Sequence, residues 1–170
     1  MAIYALTGTP ATGKTSISKN LNRKILHLSD LYSKSSEGKN KNGEWIVDLD
    51  KLNSLVQEKL TDDVIIEGHF SHLIDNIEQI IVLRCDPRKL KSRMEKRNYH
   101  DNKIRENLEA EAIGLIYSQA LEKVSQNNVQ QHDTTNLKVS ESSAILNDFL
   151  KGNIKLDETI EYSERIMDWY

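Results

Sequence analysis

Gly8-Thr9-Pro10-Ala11-Thr12-Gly13-Lys14-Thr15 is the stretch on which the fold turns. It satisfies G-x-x-x-x-G-K-[ST]. The apolar run Ala2-Ile3-Tyr4-Ala5-Leu6 before it reads as a buried strand, and residues 14–21 after it, with Ile17 and Leu21 at helical spacing, read as a helix. A strand, a glycine-containing loop and a helix in that order make a phosphate-binding loop rather than a chance match in a turn. Gly8 and Gly13 let successive N–H groups point inward at phosphate oxygens, and the helix start adds the positive end of its dipole. Lys14 then carries a compact charge to the β- and γ-phosphates of a nucleotide. The Thr15 hydroxyl can ligate Mg2+, and Ser16 can reach the α-phosphate. Lys14 is expected to face solvent and to contribute little to the core.

Further strands are expected at residues 25–28, 64–66 and 77–83, with a weaker one at 129–133. Helices are expected at 50–60, from Pro87 onward behind the cap Asp86, at 102–124 with Ile104, Leu108, Ala112 and Leu115 on one stripe, and at 140–150. The polar segment 33–44 reads as a mobile excursion. The tail, residues 157–170, carries five acidic residues and one basic, and holds Ile160, Ile166 and Trp169 that could dock on the body. Strands alternating with helices imply an α/β fold: a doubly wound, five-stranded parallel sheet with helices on both faces, in a single domain spanning 1–170.

Composition narrows the class. Ile, Leu, Val and Phe number 45 of 170 residues, above the roughly 20% floor below which disorder is expected. A net charge of −3 argues against a protein that holds nucleic acid by being basic throughout. The lone Cys85 excludes an internal disulfide framework and a cysteine-based zinc site, and fits a reducing compartment. Neither a membrane span nor a signal peptide is legible, so a soluble cytoplasmic protein is expected, nuclear if the source is eukaryotic.

A phosphate loop serves GTP switches, ATPases and small-molecule kinases alike. Asn102-Lys103-Ile104-Arg105 lacks the Asp of a guanine-binding Asn-Lys-x-Asp element. Polar insertions at 33–44 and 97–101 favour a kinase with a small phosphorylated acceptor. Residues 88–105 hold eight Lys or Arg against two acids. Arg93 and Arg97, four apart, share a helix face and could both reach a transferring phosphoryl group; the alternative is a solvated basic face. Glu67-Gly68-His69 ends a strand, where ligands of doubly wound sheets sit. Glu67 could hold a Mg2+-bound water and His69 could polarise the γ-phosphate region, unless they are a buried cap and a satisfied core histidine. His72 reads as an ordinary helix residue.

The phosphate loop, Glu67-Gly68-His69, Asp133-Thr134-Thr135-Asn136, and above all Val82-Leu83-Arg84-Cys85-Asp86 running through Arg97-Asn98-Tyr99 to Lys103-Ile104-Arg105-Glu106-Asn107-Leu108-Glu109-Ala110-Glu111 resemble the atypical adenylate kinases of archaea and eukaryotes. Eukaryotic members of that family act in small-ribosomal-subunit maturation. The resemblance runs to about residue 150. It implies a nucleoside monophosphate kinase fold with an acceptor segment at 30–53 and a short lid at 96–106, and Mg2+-dependent ATP + AMP ⇌ 2 ADP with weak ATP hydrolysis. It also implies a small-subunit ribosomal-protein partner and opens the way to a ribosomal RNA contact. Lys14, Arg97, Glu67 and His69 become the catalytic candidates, and Ala11, Gly13, Lys14, Thr15, Ser16, Arg97 and Lys138 the ATP contacts. Thr15 and, through water, Glu67 become the metal side. Asp30, Trp45 and Asp48 are the nameable acceptor candidates, Trp45 as a stacking ring or as packing. Three positions depart from the family: Ala11 and Asn98 stand where Gly is common, and Glu67 where eukaryotic members carry Asp. Ala11 would place an extra methyl beside the phosphates. The alternative reading is an ATP-driven ribosome assembly factor whose nucleotide state gates partner binding.

Overall fold

A computed structural model describes residues 2–156 and 159–169. The strands are β1 (Tyr4–Gly8), β2 (Lys24–His27), β3 (Ser36–Lys39), β4 (Trp45–Val47), β5 (Val64–Glu67), β6 (Gln79–Arg84) and β7 (Val129–Asp133). The helices are α1 (Lys14–Ser18), α2 (Tyr32–Ser35), α3 (Leu49–Gln57), α4 (Pro87–Lys96), α5 (Asp101–Ile113), α6 (Leu115–Lys123) and α7 (Val139–Leu150). Five strands form one parallel sheet in the order β2-β5-β1-β6-β7. The chain leaves β1 toward one side of the sheet and later returns to its other side, so the carboxyl end of β1 lies at the switch point where such sheets bind ligands.

Alternation along the strands builds two cores. Ala5, Ile66, Ile80 and Val82 pack on Leu52 and Val56 of α3 and Ile116 and Ala120 of α6. Leu6, Ile65, Ile81 and Leu83 face the opposite way, against Ile17 of α1 and Leu146 and Leu150 of α7. Both faces of the central strands are therefore buried, which is why these strands read as unbroken apolar runs. A third cluster, Cys85, Leu90, Met94, Ile104 and Leu108, joins α4 to α5.

Several expectations change. The segment 33–44 enters a short helix and an antiparallel hairpin, β3 with β4. Asn40 closes its turn, accepting the N–H groups of Asn42 and Glu44 at 2.9 and 3.0 Å, so polar composition here encodes a hairpin turn. Helix α1 stops at Ser18, and the chain tightens into i→i+3 bonds at Asn20 and Leu21. The long helix expected at 102–124 is two, broken at Gly114 with φ 67°. The break rotates the stripe: Ile116 is buried while Leu115 is exposed. Asp86 caps α4 as expected, accepting from the Arg88 N–H at 2.9 Å.

In the tail, Ser163–Trp169 forms 3-10 turns. Trp169 packs on the third cluster and Arg165 reaches Asp86 at 3.3 Å. Asp157, Glu158 and Tyr170 of the expected acidic tail lie outside the described residues.

Candidate functional site

The loop between β1 and α1 takes its shape from close approach. A Cβ on Gly8, whose φ is +153°, would sit 2.7 Å from the Leu83 carbonyl. Ala11 adopts φ 71°, a conformation that costs an alanine about 1 kcal/mol. The residue joins the cluster of Cys85, Leu90 and Met94 and also lines the cleft. Thr12 closes the loop on itself through the Thr9 carbonyl at 2.8 Å. Helix α1 has only five residues, so anion attraction rests on the loop amides and Lys14 more than on a long helix dipole.

Lys14 is not solvent-facing. It is 9% exposed, and its Nζ donates to the Gly8 and Thr9 carbonyls at 2.8 and 3.0 Å. Burial pushes its pKa down to about 8, against the pull of Glu67 and Glu111. The ammonium thus rests on the loop's own carbonyls beside a cleft of about 210 Å3, lined by Pro10, Ala11, Gly13, Lys14, Thr15 and Ser16 on one side. Ser29, Tyr32, Glu67, Gly68, His69, Arg97 and Tyr99 line the rest.

Register places Glu67. It ends β5 with His27 of β2 as its Cα partner. The His27 Nδ1–H donates to Glu67 Oε2 at 2.7 Å, while Glu67 Oε1 accepts from the Thr15 hydroxyl at 3.4 Å. A buried carboxylate beside a hydroxyl at the mouth of a phosphate loop is a hard-oxygen donor set that suits Mg2+ retaining several waters. Among the described residues no group of three or more His, Cys, Asp or Glu could hold a metal without a ligand's help. The fit is therefore to a metal that arrives with phosphates.

His69 donates Nδ1–H to the Gly8 carbonyl at 3.4 Å, which leaves Nε2 with a lone pair. Burial and the neighbouring Lys14 push its pKa down to about 4, so the ring is neutral at pH 7. His72 sits in a 3-10 turn and is structural, held between the Thr7 hydroxyl and Gln119 Oε1 at 2.8 and 2.9 Å. The Tyr32 hydroxyl is pushed up to about 12 by burial and by Glu67 and stays protonated.

Of Arg93 and Arg97, only Arg97 lines the cleft. Arg93 is a brace: its guanidinium donates to the Ala11 carbonyl at 3.3 Å and to the Thr134 carbonyl at 3.0 Å. Arg97, the C-cap of α4, lines the cleft and, with Arg93, a second recess of about 210 Å3. Asn98 follows at φ 57°. The N–H groups of Asn98 and Tyr99 reach back to the Glu95 and Met94 carbonyls at 3.0 and 3.3 Å. This is a Schellman closure, which asparagine enters with little strain, so the departure from Gly leaves the turn intact.

The remaining candidates are spread out. Leu137 and Val139 line the second recess, but Lys138 between them does not; it caps α7, its N–H donating to Glu141 at 3.0 Å. Asp30 is exposed in a 3-10 turn, while its neighbours Ser29 and Tyr32 line the cleft. Trp45 is on the hairpin under the Lys39 ammonium, 4.5 Å from its ring centroid. Asp48 is the N-cap of α3, accepting from the Lys51 N–H at 3.1 Å. These three acceptor candidates do not line the cleft.

Ser29, Tyr32 and Tyr99, which line the cleft, were not singled out in the sequence, nor were His27 and Glu111 beside it. His27 is brought to Glu67 only by strand order, which no local pattern encodes. Glu111 did carry a signal: it is an acid on the apolar stripe of Ile104 and Leu108, matched by Arg84 ending the apolar run of β6. The two pair at 2.7 Å, each 3% exposed.

A model of the AAA domain matches residues 5–114. A provisionally named adenylate kinase of Methanosarcina acetivorans is 35% identical over 186 residues, covering 98% of this chain and 97% of that protein. Another, of Methanococcus maripaludis, is 36% identical over 143 residues, covering 77% and 78%. A shikimate kinase from Acinetobacter baumannii in complex with shikimate shares the fold at TM-score 0.60 and 14% identity, over 90% of this chain and 94% of that one. The loop, the parallel sheet and these relatives agree, and the chain belongs to the AAA-domain family of P-loop nucleotide kinases that includes the archaeal proteins.

Proposed function

We propose that the protein is a Mg2+-dependent nucleoside monophosphate kinase transferring the γ-phosphoryl group of ATP to AMP. The observation that carries this reading is convergence: Lys14, Thr15, Glu67, His69 and Arg97 border one cleft that Ser29, Tyr32 and Tyr99 also line.

Phosphoryl transfer needs positioning and charge stabilisation more than covalent help from the protein. Lys14 exchanges two loop carbonyls for phosphate oxygens, and the loop amides hold the remaining charge. Arg97, which lines both recesses, would carry its charge to the transferred phosphoryl group. Thr15 and, through water, Glu67 would hold Mg2+, which supplies charge neutralisation across the β- and γ-phosphates. A monophosphate acceptor is already ionised near pH 7 and needs no base. The neutral His69 therefore serves transfer as a hydrogen-bonding group, and its free Nε2 is suited to orient a water when no acceptor is bound.

The test is a turnover assay with Mg-ATP, with and without AMP, measuring ADP and phosphate. Two ADP formed per ATP consumed, dependent on AMP, supports the proposal. AMP-independent phosphate release, stimulated by a small-subunit ribosomal protein or RNA, supports instead the assembly-factor reading implied by the sequence resemblance. A panel of other nucleoside monophosphates, with shikimate as a control, sets acceptor breadth.

A further inference from the structure

We infer that His27 is a positioning residue: it fixes the Glu67 carboxylate so that one oxygen stays aimed at the metal side of the nucleotide cleft. The inference rests on the kinase reading above and deepens it. His27 and Glu67 are register partners at the carboxyl ends of adjacent parallel strands, so both side chains leave the same face of the sheet. The His27 Nδ1–H holds Oε2 at 2.7 Å, and Oε1 is the oxygen that meets the Thr15 hydroxyl at 3.4 Å. Glu67 is 4% exposed, so little water competes for its oxygens. Its terminal torsion is broad and roughly two-fold, and without a donor on one oxygen the carboxylate would turn freely between orientations. A glutamate has one more methylene to order than an aspartate at this position, and an outer partner that orients a metal-side carboxylate is typically worth ten- to a hundredfold in metal affinity. His27 itself does not line the cleft, so it acts through Glu67 and not on substrate.

The experiment compares wild type with His27→Asn, which keeps an N–H donor where Nδ1 stood, and with His27→Leu, which keeps volume and removes the donor. ADP binding is measured by calorimetry in Mg2+ and in EDTA, and the ratio of the two dissociation constants gives the metal-dependent gain. His27→Leu is expected to lower that gain about tenfold, with binding in EDTA unchanged, while His27→Asn stays within about twofold of wild type. Half-saturating Mg2+ in turnover should rise in parallel for His27→Leu only. An unchanged gain in His27→Leu overturns the inference, as does an equal loss in both variants, which would mark His27 as packing. Equal weakening with and without metal also overturns it. Absence of metal-dependent ADP binding in the wild type overturns the kinase reading itself, and this inference with it.

Discussion

The Thr9 hydroxyl, in the phosphate loop, donates to Oε2 of Glu111 on α5 across 2.6 Å. The other oxygen of Glu111 accepts from Arg84 Nε at 2.7 Å and from the Cys85 N–H at 3.1 Å. Helix α5 begins inside the segment expected to act as a lid, so one buried carboxylate ties that helix, strand β6 and the loop together.

Removing Glu111 leaves the Arg84 guanidinium buried without its counter-charge. Glu111→Ala is expected to lower unfolding free energy by about 3–5 kcal/mol, the range for breaking a buried pair from one side. Glu111→Gln, which retains an acceptor for Thr9, should lose less. Denaturant titration checks both, and a loss below about 1 kcal/mol for Glu111→Ala would contradict the anchoring role.

Lys14 carries a pH signature. Its folded pKa of about 8 lies below the ordinary 10.5, so between those values the unfolded chain holds a proton that the folded chain has released. Stability from this group therefore rises with pH through that window and is at its lowest below pH 8. The difference in unfolding free energy between wild type and Lys14→Met should grow in favour of wild type from pH 8 to 10.5, by up to about 3 kcal/mol. ADP affinity should run the other way, because phosphates hold the protonated form: it falls above pH 8 by up to about tenfold per unit in wild type and stays flat in Lys14→Met. Turnover in Lys14→Met should fall by at least about a hundredfold.

These two residues also show what sequence can and cannot carry. The loop was legible because its pattern, its strand and its helix are contiguous, and the parallel sheet because β5 and β6 are apolar on both faces. The burial of Lys14 was not, since it depends on how the Gly8 and Thr9 carbonyls turn inward. Asp48 read as a binding residue because caps and ligand groups draw on the same polar side chains, and its carboxylate caps α3. Lys138 was a candidate through the resemblance alone, and it stands at the start of α7 with its backbone N–H on Glu141. The split at Gly114 was visible as a glycine, but helical periodicity on either side masked it. His27 and Glu111 needed tertiary neighbours to acquire meaning.

His69 should be neutral throughout the working range. With a pKa near 4, its ring resonances should not titrate between pH 5.5 and 8 in a proton–carbon NMR series, whereas an ordinary histidine would move near 6.5. His69→Ala should reduce AMP-independent hydrolysis more than AMP-dependent transfer. Equal loss of both would contradict the water-orienting assignment.

Glu44, at the tip of the β3–β4 hairpin, pairs with Lys103 near the start of α5, and the Lys103 ammonium lies 4.3 Å from the Tyr99 ring centroid. The pair bridges the acceptor segment and the lid. Both side chains are partly exposed, so stability should change by less than about 1 kcal/mol on Glu44→Lys or Lys103→Glu. The acceptor KM is expected to rise about two- to fivefold in each single variant and to recover in the double charge reversal. Failure of the double variant to recover would contradict a bridging role.

The most direct test of the central claim uses two adenosines joined by five phosphates, titrated into the protein with Mg2+ by calorimetry. A ligand that fills donor and acceptor sides of the Lys14 cleft together should bind one to one and far more tightly than ATP or AMP alone. Binding no tighter than ATP, or none, would contradict a phosphoryl-transfer site built for two nucleotides.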